Sequence, residues 1–113
     1  MIEQLWLSRA TGIDGSHVVS VAGELDIATA GQAFDYLADV IDHGHAPVSV
    51  DLSGLTFCDA SGLSVFAKAA RRARDTHRAF MLTSIRPSLL RIMRLTGLDA
   101  VFPELCSPAR LPA

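Results

Sequence analysis

The sequence predicts an α/β domain with a mixed, mostly parallel sheet of about five strands and helices packed against it. Three observations carry that prediction. Segments with the period of a strand exchange with segments of helical period in the order β-β-α-β-α-β-α-β, and strands followed by helices imply parallel pairing through right-handed crossovers. An opening pair of strands joined by a short turn makes the sheet mixed. The length of 113 residues, 50% hydrophobic and 19% charged, is enough for one core and too little for two.

Leu5-Trp6-Leu7 forms a short, weak strand, and His17-Val18-Val19-Ser20-Val21-Ala22 a stronger one. Thr11-Gly12-Ile13-Asp14-Gly15 between them reads as a hairpin turn, and Gly23-Glu24-Leu25-Asp26 breaks the second strand. Ala30, Ala33, Phe34, Leu37, Ala38 and Ile41 then recur along one stripe of a helix. Thr29 with Gln32 three residues on has the form of a capping box, and Gly44 followed by Pro47 ends the segment. Val48-Ser49-Val50-Asp51-Leu52 alternates as a strand, Ser53-Gly54 turns, and Leu55-Thr56-Phe57-Cys58 extends the sheet briefly.

A second helix begins after Asp59, with Leu63, Phe66, Ala67, Ala70 and Ala73 on one face. Ala79-Phe80-Met81-Leu82-Thr83 is a further strand. Pro87 opens a third helix whose buried side carries Leu89, Ile92, Met93 and Thr96, and Gly97-Leu98 reads as a Schellman stop. Ala100-Val101-Phe102 is a last short strand. Residues 1–113 thus read as one domain, with a core over about 5–102 and a loosely held, proline-bearing tail over 103–113.

The totals narrow the function. A net charge of −2 offers no global field toward nucleic acid or an anionic membrane. The first residues lack the basic start of a secretory signal, and no apolar run approaches the roughly 20 residues of a membrane span, so the cytoplasm is the expected compartment. Cys58 and Cys106 supply no disulfide framework and no zinc spacing, and no metal or cofactor is expected. His17, His43, His45 and His77 fall at strand starts or helix ends and read as solvent-facing, so Ser61 has no base for nucleophilic catalysis. Gly62 opens no phosphate-binding loop. Lys68, Arg71, Arg72, Arg74 and Arg78 read as a solvated helix face suited to the C-terminal dipole. Cys58 beside Asp59 reads as a small buried hydrophobe, and Trp6 and Phe57 as sheet-packing residues.

The densest run of special residues is Asp51-Leu-Ser-Gly-Leu-Thr-Phe-Cys-Asp-Ala-Ser-Gly-Leu63. It passes from a central strand into a helix N-terminus, at the carboxyl edge of the sheet where α/β folds present their sites. A helix N-terminus also favours a phosphate or carboxylate. A purely structural account stands beside this one, with Asp59 as the cap and Ser61 and Gly62 filling the first turn.

That run resembles the signature of the STAS family, the domain of bacterial anti-sigma factor antagonists and of the cytosolic tails of sulfate transporters. Gly23-Glu24-Leu25-Asp26 is similar to the family's other landmark, and Pro87 to Leu98 resembles its third-helix segment. The resemblance implies a non-enzymatic regulator of transcription without a cofactor. It would bind an anti-sigma factor that is also a serine kinase and so free a sigma factor by partner switching. Phosphorylation would end the binding by placing negative charge in the contact surface. The implied binding surface comprises Glu24, Asp26, Asp59, Ser61, Gly62 and Leu63.

Two departures accompany the resemblance. The family's phospho-acceptor is the hydroxyl residue directly after the motif Asp, and here that position is Ala60. Two readings remain open: the acceptor has shifted to Ser61, or phosphorylation does not switch this domain. Family antagonists also often carry a fourth helix, and Pro103 to Ala113 holds too much proline for one. The alternative function is a STAS accessory subunit of a membrane transport system, of an ABC-type lipid or an anion kind.

Overall fold

The computed structural model describes residues 4–98. Its elements are β1 (Leu5–Thr11), β2 (His17–Leu25), α1 (Ala30–Asp42), β3 (Val48–Asp51), β4 (Leu55–Cys58), α2 (Ala60–Asp75), β5 (Phe80–Thr83) and α3 (Pro87–Leu95). They form a five-stranded sheet in the order β1-β2-β3-β5, with β4 paired to β2. The β1–β2 hairpin is antiparallel, and the β2–β3, β2–β4 and β3–β5 pairings are parallel. The predicted mixed, mostly parallel sheet is the one observed. Within the described residues the order is β-β-α-β-β-α-β-α, because Leu55–Cys58 is a strand of its own. The strand expected at Ala100–Phe102 and the tail from Pro103 lie outside the described residues.

The core follows the alternation of the strands. Val19, Val21, Leu25, Val48, Val50 and Leu82 point one way and are buried with Leu37, Ile41, Leu63 and Phe66 from α1 and α2. Period-2 and period-3.6 patterns thus meet in a single layer. The small residues Ala69, Ala70 and Ala73, all buried, fit the close approach of α2 to its neighbours.

Four local expectations change. The strand does not break at Gly23: β2 continues to Leu25, with a register shift between Gly23 and Glu24. Gly23 adopts φ +95° there, which a residue without a Cβ tolerates at a bulge. The capping box does not form, because the Thr29 hydroxyl faces backward. It donates to the carbonyl of Glu24 at 3.0 Å and accepts from the N–H of Asp26 at 3.0 Å. Trp6 and Phe57 are 55% and 50% exposed rather than packed inside. On α3, Leu89 and Met93 are buried, whereas Ile92 and Thr96 are exposed. Gly97 ends that helix at φ +80°, as its position predicts.

The basic cluster also divides. Arg72 forms a bidentate pair with Asp42, linking α2 to the end of α1 and holding the Asp42 carboxyl below its ordinary range. Arg78 lies beyond α2 and is buried, which a solvated helix face does not describe. Its guanidinium donates to the carbonyls of Val40 and Ile41 at 2.6 Å each and of Ala46 at 2.5 Å. The last carbonyls of α1 have no helical partners of their own, so a buried cation satisfies them and complements the dipole.

Candidate functional site

Parallel pairing brings the two sequence landmarks side by side. In the β2–β4 ladder Glu24 faces Phe57 and Leu25 faces Cys58. The N–H of Asp59 then donates to the carbonyl of Leu25 at 3.2 Å, tying the start of α2 to the end of β2. The segments 24–29 and 57–64 therefore form one surface at the carboxyl end of the sheet.

Each acid at this surface has a local structural task. Asp26 accepts from the N–H groups of Ala28 at 2.9 Å and Thr29 at 3.2 Å, closing the turn into α1. Asp59 is the N-cap of α2 and accepts from the N–H of Gly62 at 3.1 Å. The cap expected of Asp59 is formed. Both carboxylates fix backbone, and neither is paired with a basic side chain among the described residues.

Gly62 and Leu63 support the surface from beneath. Gly62 is buried, and a Cβ there would meet Cys58 Sγ at 2.7 Å and Leu25 Cγ and carbonyl oxygen at 2.8 Å. Glycine is needed because the first turn of α2 rests on the end of β2. Leu63 is 3% exposed and belongs to the core. A partner would touch Glu24, Ile27, Ala60 and the half-buried Ser61, while Gly62 and Leu63 hold the helix in place. Cys58 is half-buried, and burial, with the Asp59 charge as the lesser cause, pushes its thiol up to about 12. That suits the structural role its sequence position suggested.

Sequence reasoning missed Ile27. It is 82% exposed and stands at the mouth of an open groove of about 380 Å³ between α1 and α2, lined also by Phe34, Ser61, Ser64, Val65 and Lys68. An apolar residue following Gly-Glu-Leu-Asp was the available signal: no buried face of α1 requires it. The four histidines all sit at the other end of the sheet, with His17 opening β2, His43 and His45 between α1 and β3, and His77 between α2 and β5. Ser61 therefore shares its surface with no imidazole among the described residues. Neither is any group of three or more His, Cys, Asp or Glu side chains there placed to hold a metal ion. No described helix is long and apolar enough to cross a membrane.

A parallel α/β sheet with paired landmark turns at one carboxyl edge defines a class of regulatory binding domain. A family model described as "Mlab, STAS domain" matches residues 10–106, and the chain belongs to the STAS domain family. It is similar to the anti-sigma-B factor antagonist of Listeria monocytogenes, with 28% identity over 89 residues that cover 78% of each chain. Among solved structures it is similar to an anti-sigma factor antagonist from Mycobacterium paratuberculosis. That likeness has 28% identity and TM-score 0.78, covering 93% of this chain and 88% of the other. The unphosphorylated form of the anti-sigma factor antagonist SpoIIAA shares the fold at 19% identity and TM-score 0.69, with 84% of each chain covered.

Proposed function

We propose that this protein is an anti-sigma factor antagonist, a cytoplasmic binding module that captures an anti-sigma factor with serine kinase activity and thereby frees a sigma factor. The observation that carries this reading is the joined surface at the carboxyl edge. It combines exposed apolar side chains, Ile27 at 82% and Phe57 at 50%, with a capped helix N-terminus. An apolar centre with a polar rim is the anatomy of a protein contact. The antagonists to which the chain is similar give the partner its class.

Catalysis is no part of the reading. Ser61 lacks a base, so the hydroxyl accepts chemistry from a partner rather than performing it. Phosphorylation of Ser61 adds a charge of about −1.5 to −2 beside the groove mouth, and an unpaired charge there opposes an apolar contact.

Incubation with the cognate kinase and ATP tests the switch. The expected product is one phosphate on Ser61, located by mass spectrometry, with loss of partner binding. Ala60→Ser should add a second acceptor at the exposed first turn at a stability cost within about 0.5 kcal/mol. Efficient phosphorylation of the parent at another residue would refute Ser61 as the acceptor. Recovery of an ABC ATPase instead of an ATP-binding kinase from a native lysate would move the protein to the transport-accessory alternative.

A further inference from the structure

We infer that β1 is a self-association edge, and that a second copy of this chain pairs with it antiparallel about Ser8. The hydrogen-bond pattern identifies which groups are available. The N–H of Glu24 donates to the carbonyl of Gln4 at one end of the hairpin, and the N–H of Gly12 to the carbonyl of Ser16 at the other. Leu5↔Gly23 through Thr11↔His17 pair between them without a shift. Bonded and non-bonded pairs alternate in an antiparallel ladder. Trp6, Ser8 and Ala10 therefore turn their backbone groups toward β2, and Leu5, Leu7, Arg9 and Thr11 turn theirs away. Among the described residues no strand pairs with that outer edge.

Exposed edges are ordinarily protected by proline, bulges, shortness or several charges. β1 has seven residues, contains no proline and no bulge, and carries one charge, Arg9. The opposite edge, β5, has four residues.

The spacing of the outward groups selects a second copy over an unrelated strand. Antiparallel pairing centred on Ser8 sets Leu5 opposite Thr11 and Leu7 opposite Arg9 of the other chain. All four outward positions of each strand are then used, giving about eight backbone hydrogen bonds. The two Arg9 side chains are not opposite each other in this register. Ser8 faces its own copy, and the 55% exposed Trp6 faces Ala10 in a non-bonded pair, where side chains approach most closely. Because the strands run in opposite directions, the two carboxyl-edge surfaces lie at opposite ends of the joined sheet. Both stay open, and a dimer would carry two partners.

Sedimentation velocity over a wide concentration range, with two classes of variant, tests the inference. The parent should show a reversible monomer–dimer equilibrium. Arg9→Pro removes an outward N–H that β2 does not use, so it should weaken dimerisation at least tenfold while leaving the far-ultraviolet spectrum and partner binding unchanged. If that variant does not fold, Ser8→Lys decides, because it keeps the backbone and sets two like charges opposite each other. Ser8→Cys should form a reducible cross-linked dimer under mild oxidation where the parent does not. A parent that stays monomeric throughout overturns the inference. So does a dimer unaffected by the edge variants and not cross-linked through position 8.

Discussion

The two ends of the sheet use the same kinds of residue for opposite purposes. At the amino end a long cation goes inside: Arg78 is 5% exposed and donates to three backbone carbonyls. Its polar neighbours are paired locally, Asp14 with Ser16 and Asp42 with Arg72. At the carboxyl end short acids fix the backbone, and apolar side chains stand outside, with Ile27 and Phe57 exposed. Burying a polar group requires a partner for each of its hydrogen bonds, whereas exposing an apolar side chain forfeits only its transfer energy. The amino end is thus organised for stability, and the carboxyl end leaves energy available for a contact made later.

The sharpest way to break this contrast is to remove the buried cation. Arg78→Met should destabilise the fold by about 3 kcal/mol, because the carbonyls of Val40, Ile41 and Ala46 lose a charged donor in a buried site. Urea unfolding reads the loss, and partner binding should be unchanged below the transition. A cost under about 0.5 kcal/mol would show that water replaces the guanidinium without penalty.

Gly62→Ala comes next. A Cβ at 2.8 Å from the Leu25 carbonyl oxygen meets backbone, which does not give way as a flexible side chain does. The expected cost is about 2 kcal/mol, an overpacking penalty at the base of the binding surface. Here stability and partner affinity should fall together, unlike at Arg78. A stable variant with full affinity would detach the site from the packing beneath it.

Cys58 gives the mildest test, since no residue is replaced. With its thiol pushed up to about 12 by burial and by Asp59, little thiolate exists at neutral or mildly alkaline pH. Alkylation at pH 8, followed at this residue by peptide mass mapping, should run more than about a hundredfold slower than in the urea-unfolded chain. The sign follows from the shift: a raised pKa keeps the group neutral until the pH approaches that value. Equal rates would mean that the end of β4 is open to solvent.

The contrast also marks what was legible in the sequence. Alternation in Val48–Leu52 and the stripe from Ala30 to Ile41 disclosed the sheet and its cover, because periodicity reports burial directly. Gly23–Asp26 and Asp59–Leu63 were visible as landmarks, and parallel pairing joined them as their order implied. Less visible was anything that depends on which neighbour a side chain meets. Thr29 and Gln32 have the letters of a capping box, yet the Glu24 carbonyl lies closer to hand for the hydroxyl. Arg78 follows a basic helix face and reads as one more surface charge until the turn at His77, with φ +57°, directs it inward. Trp6 and Phe57 have the composition of core residues, and only the end of the sheet leaves them outside.

Isothermal titration of the cognate anti-sigma factor kinase against the parent, Ser61→Asp and Ile27→Ser tests the central claim most directly. Both substitutions lie at the carboxyl edge, away from the core, and should change stability by no more than about 0.5 kcal/mol. The account predicts at least tenfold weaker binding for each. Ser61→Asp should be the weaker binder, since an unpaired charge in a desolvated contact costs several kcal/mol, on the order of 3. Unchanged affinity in both variants, with the fold intact, would contradict the placement of the binding surface at the carboxyl edge.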